Sequence, residues 1–369
     1  MISRSDIRAE ARRLTGFFQA AGALPVEADI LQPADTLLDL YGEDIRARAY
    51  VTHDPLRGEL MLRPDFTVPV VLHHMQNGKD EARYTYMGEV FRQQAFDPSR
   101  PSEYVQTGYE LFSSGELAAA DAEVFALFQE VLSPLGLRAA TGDIGILMAA
   151  VRGLATSEAR KRALQRHIWR PRRFRALLDR YGGKKPTPVA RKALLQAVAE
   201  GKNVLADSAP HIGLRDVEEI EARIRVLVQD AAEPPISPGE AEMLDEILNL
   251  RETAPMVLER LRDLSVDLAA LAPAVEQFAR RLDALALQGV DADSLEFEGS
   301  YGRTTMEYYD GFVFGFYAAD RPDLPAVATG GRYDALTGML RRKDNTGSFA
   351  AVGGVIRPEL VLELKRALA

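Results

Sequence analysis

In the segment EYVQTGYELF, residues 103–112, Tyr104, Gln106, Gly108 and Glu110 are spaced two apart. Along an extended strand such residues share one face. A phenol, an amide and a carboxylate therefore point the same way, and Gly108 leaves the backbone open to a ligand between them. Upstream, in LRPDFTVPV (62–70), Asp65 and Thr67 are likewise two apart. Downstream, MEYYDGFVFGFY (306–317) sets Tyr309, Gly311, Val313, Gly315 and Tyr317 against an apolar face of Phe312, Phe314 and Phe316. In GGRYDAL (330–336) a tight turn brings Tyr333 to the same region; the GxGxxG and GxxxxGK spacings of phosphate loops are absent. Taken singly, each pair also fits the polar face of a half-solvated sheet. The repetition of glycine between polar groups in several strands favours a pocket lined by Asp65, Glu110, Gln106 and phenols. That lining suits a small cationic, hydrogen-bonding ligand such as an amino acid, with Arg92 available for its carboxylate.

These groups need a sheet and helices to hold them, and 369 residues suffice for a large domain with a smaller one. Residues 5 to 21 read as an amphipathic helix, capped by Ser5 or Asp6, with Ile7, Leu14, Phe17 and Phe18 as its apolar stripe and Gly22 as its stop. Between about 50 and 115 the pattern is of strands, with ARYTYMGEVFR alternating strictly. ELAAADAEVFALFQEVLSPLGL is a long helix ended by Pro134 and Gly136, followed by a short strand and ILMAAVRGL as another helix. Residues 155–290 are rich in Ala, Leu, Arg and Glu and read as an all-helical insertion. Strands return in SLEFEGSYGR, MEYYDGFVFGFYAAD, AVATGGRYDAL and SFAAVGGVI, and RPELVLELKRALA is a closing helix. No regular βαβ alternation is visible, so the expected fold is α+β, an antiparallel sheet flanked by helices. Its core is residues 1–154 and 291–369, interrupted by the insertion.

Composition narrows the chemistry. There is no cysteine, which excludes disulfides, thiolate ligands and cysteine nucleophiles, and the five histidines lack ligand spacing, so no metal is expected. A net charge of −9 weighs against nucleic acid as an obligatory partner. No apolar run is long enough for a membrane span, and the charged N-terminus argues for the cytoplasm. RKRALQRHIWRPRRFRALLDR sets nine basic residues between 160 and 180 against Asp179, with Trp169 and Phe174 interleaved. A solvated helix face balanced by the acidic stretches near 216–221 and 240–246 is the plainest account; docking of an acidic partner or RNA is the other. His73 and His74, on an expected helix, are surface or satisfied histidines rather than ligands.

Five motifs, LRPDFT, RYTYMGEVFR…EYVQTGYE, YYDGFVF, GGRYDAL and AAVGGVI, stand in an order and rough spacing that resemble the catalytic core of histidyl-tRNA synthetase. LQPADTLL, with Pro33, sits where the dimer-forming first motif of class II synthetases falls. The resemblance covers about residues 5–150 and 295–369. It implies a class II aminoacyl-tRNA synthetase-like fold and a homodimer. It also implies a histidine pocket formed by Asp65, Thr67, Gln106, Glu110, Tyr309 and Tyr333, with Arg92 as the second motif's arginine.

The departures from the synthetase pattern are as specific. TTMEYYDG places Thr304 where the synthetases have an arginine that assists activation, with Arg303 one step off on the other face of a strand. Gln94 replaces an acidic residue, Asp65 a glutamate, and GGVIRPEL puts Leu360 in the slot of an ATP-contacting arginine. Loss of guanidinium groups at ATP raises the barrier to adenylate formation. The sequence ends where an anticodon-binding domain would follow. The combination resembles the regulatory subunits of ATP phosphoribosyltransferase. That resemblance implies a non-catalytic partner of the short-form catalytic subunit, needed for the first step of histidine biosynthesis and involved in feedback by histidine, without tRNA and without a cofactor. The alternatives are an enzyme that activates histidine or a related amino acid for an acceptor, and a free-standing amino-acid sensor or RNA-binding fragment.

Overall fold

The computed structural model describes residues 2–41, 48–77, 80–94, 100–206, 216–303, 308–344 and 349–368. The strands, in chain order, are β1 Leu24–Pro25, β2 Leu31–Pro33, β3 Val51–Asp54, β4 Gly58–Leu62, β5 Ala82–Phe91 and β6 Glu103–Ser113. They continue with β7 Arg138–Asp143, β8 Arg251–Thr253, β9 Glu296–Glu298, β10 Phe312–Tyr317, β11 Ala328–Arg332 and β12 Ala350–Ile356. Nine of them form one sheet in the order β1-β5-β6-β12-β11-β10-β7-β9-β8, and β2-β4-β3 form a small second one. The large sheet is antiparallel as expected except at β1–β5 and β7–β9, which are parallel. Both parallel contacts involve short strands reached by long connections, which parallel pairing requires.

Helices cover one face of the large sheet. Phe312, Phe314 and Phe316 alternate along β10 onto that face, where Phe125 of helix Leu117–Leu132 meets the last two at ring-centroid distances of 5.5 and 5.3 Å. Helix Arg4–Ala20 adds Leu14 and Phe18, the latter 5.4 Å from Phe128 and 5.3 Å from Tyr109 of β6. This helix starts one residue earlier than expected, and its cap lies two or three residues before the expected one. Ser3 is its cap, and Asp6 at the third position returns the hydrogen bond to the Ser3 N–H, so Asp6 supports the cap rather than being it.

Residues 155–290 hold helices Glu158–Arg166, Pro171–Tyr181, Val189–Ala199, Val217–Ala232, Pro238–Asn249, Ala254–Asp267 and Ala272–Leu287. They are not wholly helical: β8 pairs antiparallel with β9 and covers what would be an open sheet edge. Three residues are too few for an alternating pattern to announce. Helix Ala272–Leu287 packs on helix Leu117–Leu132, and buried Arg281 spans Asp121 and Asp143 at 2.8 Å each. The basic stretch turns much of its chemistry inward. Arg160 is buried against Asp230 at 2.6 Å, Arg175 pairs with Asp245, and Phe174 is core. His74, on helix Thr67–Asn77, is buried; its Nδ1 lies 3.2 Å from the Tyr84 hydroxyl and its ring stacks on Phe112. Burial, with His73 nearby, lowers its pKa to about 4.

Candidate ligand-binding site

The opposite face of the sheet, partly covered by helix Thr67–Asn77, holds a cavity of about 150 Å³ over β6, β11 and β12, and all seven expected site residues line it. Gln106 and Glu110 rise from β6, two strand steps apart, while Tyr333 follows the last residue of β11. Tyr309 precedes β10, and its backbone carbonyl accepts a 3.0 Å hydrogen bond from the Trp169 indole. Arg92 follows the end of β5, where its Nε donates to the Pro64 carbonyl at 2.7 Å and so ties β5 to the loop bearing Asp65.

Asp65 and Thr67 reach the cavity without being strand neighbours. β4 ends at Leu62, and Pro64, with no N–H to give a ladder, stands two residues on. The Asp65 carboxylate then accepts the Thr67 N–H at 3.1 Å where helix Thr67–Asn77 begins, a side-chain turn that Asp forms readily.

Glu110 is the centre of the arrangement. It is 1% exposed, and its carboxylate accepts hydrogen bonds from Tyr333 at 2.6 Å, Tyr86 at 2.8 Å and Thr67 at 3.4 Å. Thr67 also lies 3.3 Å from the Tyr308 hydroxyl. Burial raises the Glu110 pKa to about 7 against these hydrogen bonds, and Asp65 pushes it further in the same direction. Tyr309, also buried, has its phenol pKa raised by desolvation and by Glu110. Beside this charged centre the Gln106 amide is fully buried, and neither its oxygen nor its nitrogen has a hydrogen-bond partner among the described residues. A protein interior rarely leaves both ends of an amide unmatched.

Gly108 does not open the backbone to a ligand. Its cross-strand partner Tyr86 lies over it, so that a Cβ there would meet the ring at 2.2 Å. The glycine instead lets Tyr86 reach Glu110, with Phe66 stacked on its other side at 4.4 Å. Gly353 has a similar role: a Cβ there would meet Glu110 Oε2 at 1.6 Å. Tyr86, Tyr308, Thr329, Gly353 and Arg357 are the site residues that strand-face reasoning missed. Tyr86 was detectable in principle, since a large residue opposite a glycine in a hairpin tends to fold across it. Arg357 was not, because its role depends on how β12 runs into helix Pro358–Leu368. Its guanidinium lines the cavity, donates to the Ala326 carbonyl and has its pKa lowered by burial.

Arg303 is not on a strand. It lies in a turn, donates Nε to the Ile168 carbonyl at 2.8 Å and covers the Phe174 ring at 5.0 Å. Thr304 lies outside the described residues. Gln94 is near the surface, donating to the Pro101 carbonyl, and Leu360 packs beside the core. Among the described residues no helix is long and apolar enough to cross a membrane.

A large, mostly antiparallel sheet with helices on one face and a polar cavity on the other is the core of a class II aminoacyl-tRNA synthetase fold. The family model of histidyl-tRNA synthetase matches residues 4–233 and 215–353, and the chain belongs to that family. Two similar curated proteins, the ATP phosphoribosyltransferase regulatory subunits of Brucella ovis and Brucella abortus, are each 28% identical over 347 residues, covering 89% of both chains. Among solved structures, an ATP phosphoribosyltransferase regulatory subunit/histidyl-tRNA synthetase from Bacillus halodurans superposes with a TM-score of 0.66. It is 20% identical, and the match covers 98% of this chain and 79% of that one. A histidine–tRNA ligase subunit from Alicyclobacillus acidocaldarius gives 0.61 at 21% identity, covering 99% and 94%.

Proposed function

We propose that this chain is a regulatory, non-catalytic subunit of ATP phosphoribosyltransferase, serving the first step of histidine biosynthesis, and that the cavity binds histidine as the feedback signal. The observation that carries the ligand assignment is the Gln106 amide, buried and unpartnered beside the Glu110 carboxylate. A ligand with both donors and acceptors relieves that cost. Histidine has them: an imidazole N–H for Glu110, an ammonium for Asp65, and a carboxylate for Arg92 or Arg357. The shared length with the named regulatory subunits supports the partner assignment. In this reading the partner is the short-form catalytic subunit and the chain works as a homodimer in the cytoplasm. Residues 1–154 and 291–369 are the synthetase-like core and 155–290 the insertion. Feedback requires that histidine bind differently in two states of the assembly.

One observation favours a second reading, activation of histidine by ATP: two guanidinium groups, Arg92 and Arg357, line the cavity. ATP–pyrophosphate exchange driven by histidine separates the readings. Background exchange, together with a stable complex with the catalytic subunit in size-exclusion chromatography, is expected. Exchange well above background without complex formation would replace the regulatory reading with the enzymatic one.

A further inference from the structure

A second cavity, of about 520 Å³, is lined by Arg138 and Ala140 of β7, Glu298 of β9, Tyr317 of β10, the turn 300–303 and Pro171. Ala140 pairs with Gly315, and Gly315 with Thr329 of the first cavity, so both cavities open on one face of the sheet. Tyr301 forms a wall of the second. Its hydroxyl sits 2.9 Å from that of Tyr317 and so close over Gly315 that a Cβ there would meet it at 2.0 Å.

The charges around this space do not balance. Arg138 is paired with Glu296, and Glu298 with Arg251 at 2.7 Å. Arg303 has no carboxylate within ion-pair distance among the described residues. It is 5% exposed, its Nε is taken by the Ile168 carbonyl, its guanidinium lies over the Phe174 ring, and its Nη2 has no hydrogen-bond partner among the described residues. Burial and the neighbouring Arg175 lower its pKa to about 10, which leaves it protonated at neutral pH. A buried, protonated guanidinium with an idle N–H is costly unless an anion meets it. Helix Pro171–Tyr181 begins at the same wall, and its first turn has no side-chain cap. The positive end of its dipole adds to the attraction for an anion.

We propose that this cavity binds a small phosphorylated metabolite of sugar-phosphate size, its phosphate received by Arg303 and its hydroxyls by Ser300, Tyr301 and Tyr317. A phosphate offers more charge and more acceptor oxygens to a guanidinium than a carboxylate does. The volume falls in the range of small-molecule sites. This proposal is independent of the histidine reading, because it uses none of the residues lining the first cavity.

Calorimetric titration of the full chain with ribose 5-phosphate and with inorganic phosphate tests it, with ribose and malonate as controls. Emission from Trp169, the chain's single tryptophan and close in sequence to Pro171, is a second readout. Saturable binding of one ribose 5-phosphate per chain is expected, weaker for phosphate alone and absent for ribose. Arg303→Met should weaken it at least about tenfold, the loss of one charge-assisted hydrogen bond. Ser300→Phe should do the same by filling the mouth, and since Ser300 is exposed this variant keeps the test valid if Arg303→Met fails to fold. No saturable binding of either phosphate ligand at millimolar concentration, or binding that both variants leave intact, would overturn the proposal. Malonate binding as tightly as ribose 5-phosphate would overturn the phosphate assignment.

Discussion

Replacing Glu110 by Gln separates what the carboxylate does for the ligand from what it costs the fold. The change keeps the volume and removes the charge that three hydroxyls face at 2.6, 2.8 and 3.4 Å. In the folded chain the Glu110 pKa rises from an ordinary 4.5 to about 7. The folded state therefore keeps the proton through that window while the unfolded chain releases it. The contribution to stability is full below pH 4.5 and is lost as pH climbs through 7, by about 3 kcal/mol in all. Glu110→Gln should abolish that part of the pH dependence, so thermal melts at pH 5 and pH 8 should differ less than in the natural chain. A cationic ligand favours the ionised carboxylate, so histidine should bind more tightly as pH rises through about 7, with proton release. Calorimetry in buffers of different ionisation enthalpy reads that release. A charged hydrogen bond is worth about 1.5–3 kcal/mol, so the variant should bind histidine at least about tenfold more weakly, with its pH dependence gone. Histidine affinity within about twofold of the natural chain, a difference of under about 0.5 kcal/mol, would refute the assignment.

Gln106→Leu should lower histidine affinity by about tenfold or more while leaving thermal stability unchanged or higher, because it removes an unpartnered buried amide. Gly353→Ala should cost at least about 2 kcal/mol in denaturant unfolding and abolish histidine binding, because a Cβ there displaces Glu110 Oε2 and meets the Tyr109 carbonyl at 2.6 Å. Asp121→Ala should cost about 3–5 kcal/mol, since it removes one carboxylate from each of two buried guanidiniums, Arg281 at 2.8 Å and Arg332 at 2.7 Å, leaving them only Asp143 and Asp334. The Asp121 prediction is checked by urea melts, in which the same loss should not appear for an exposed pair such as Arg251–Glu298.

The site was legible where chemistry follows strand period. Gln106 and Glu110 share a face because the β6 segment alternates, and Phe312, Phe314 and Phe316 pack together for the same reason. Tyr309, Tyr333 and Arg92 were placed at the cavity through family resemblance as much as through pattern, since none lies inside a strand. What period cannot convey is which side chain crosses to which strand. Tyr86 occupies the space over Gly108, and Arg357 arrives from beyond the end of β12. Asp65 showed that two-residue spacing also arises from a side-chain turn at a helix start. β8 escaped notice because three residues hold no period, and the inward use of Arg160, Trp169 and Phe174 depends on tertiary partners far along the chain.

The most direct measurement is phosphoribosyl-ATP formation by a short-form catalytic subunit, with and without this chain, across a histidine titration. Activity that requires both chains and falls as histidine rises, with Glu110→Gln shifting the histidine midpoint upward by at least about tenfold, is the predicted result. A catalytic subunit whose rate is the same with and without the chain, at every histidine concentration, would contradict the account.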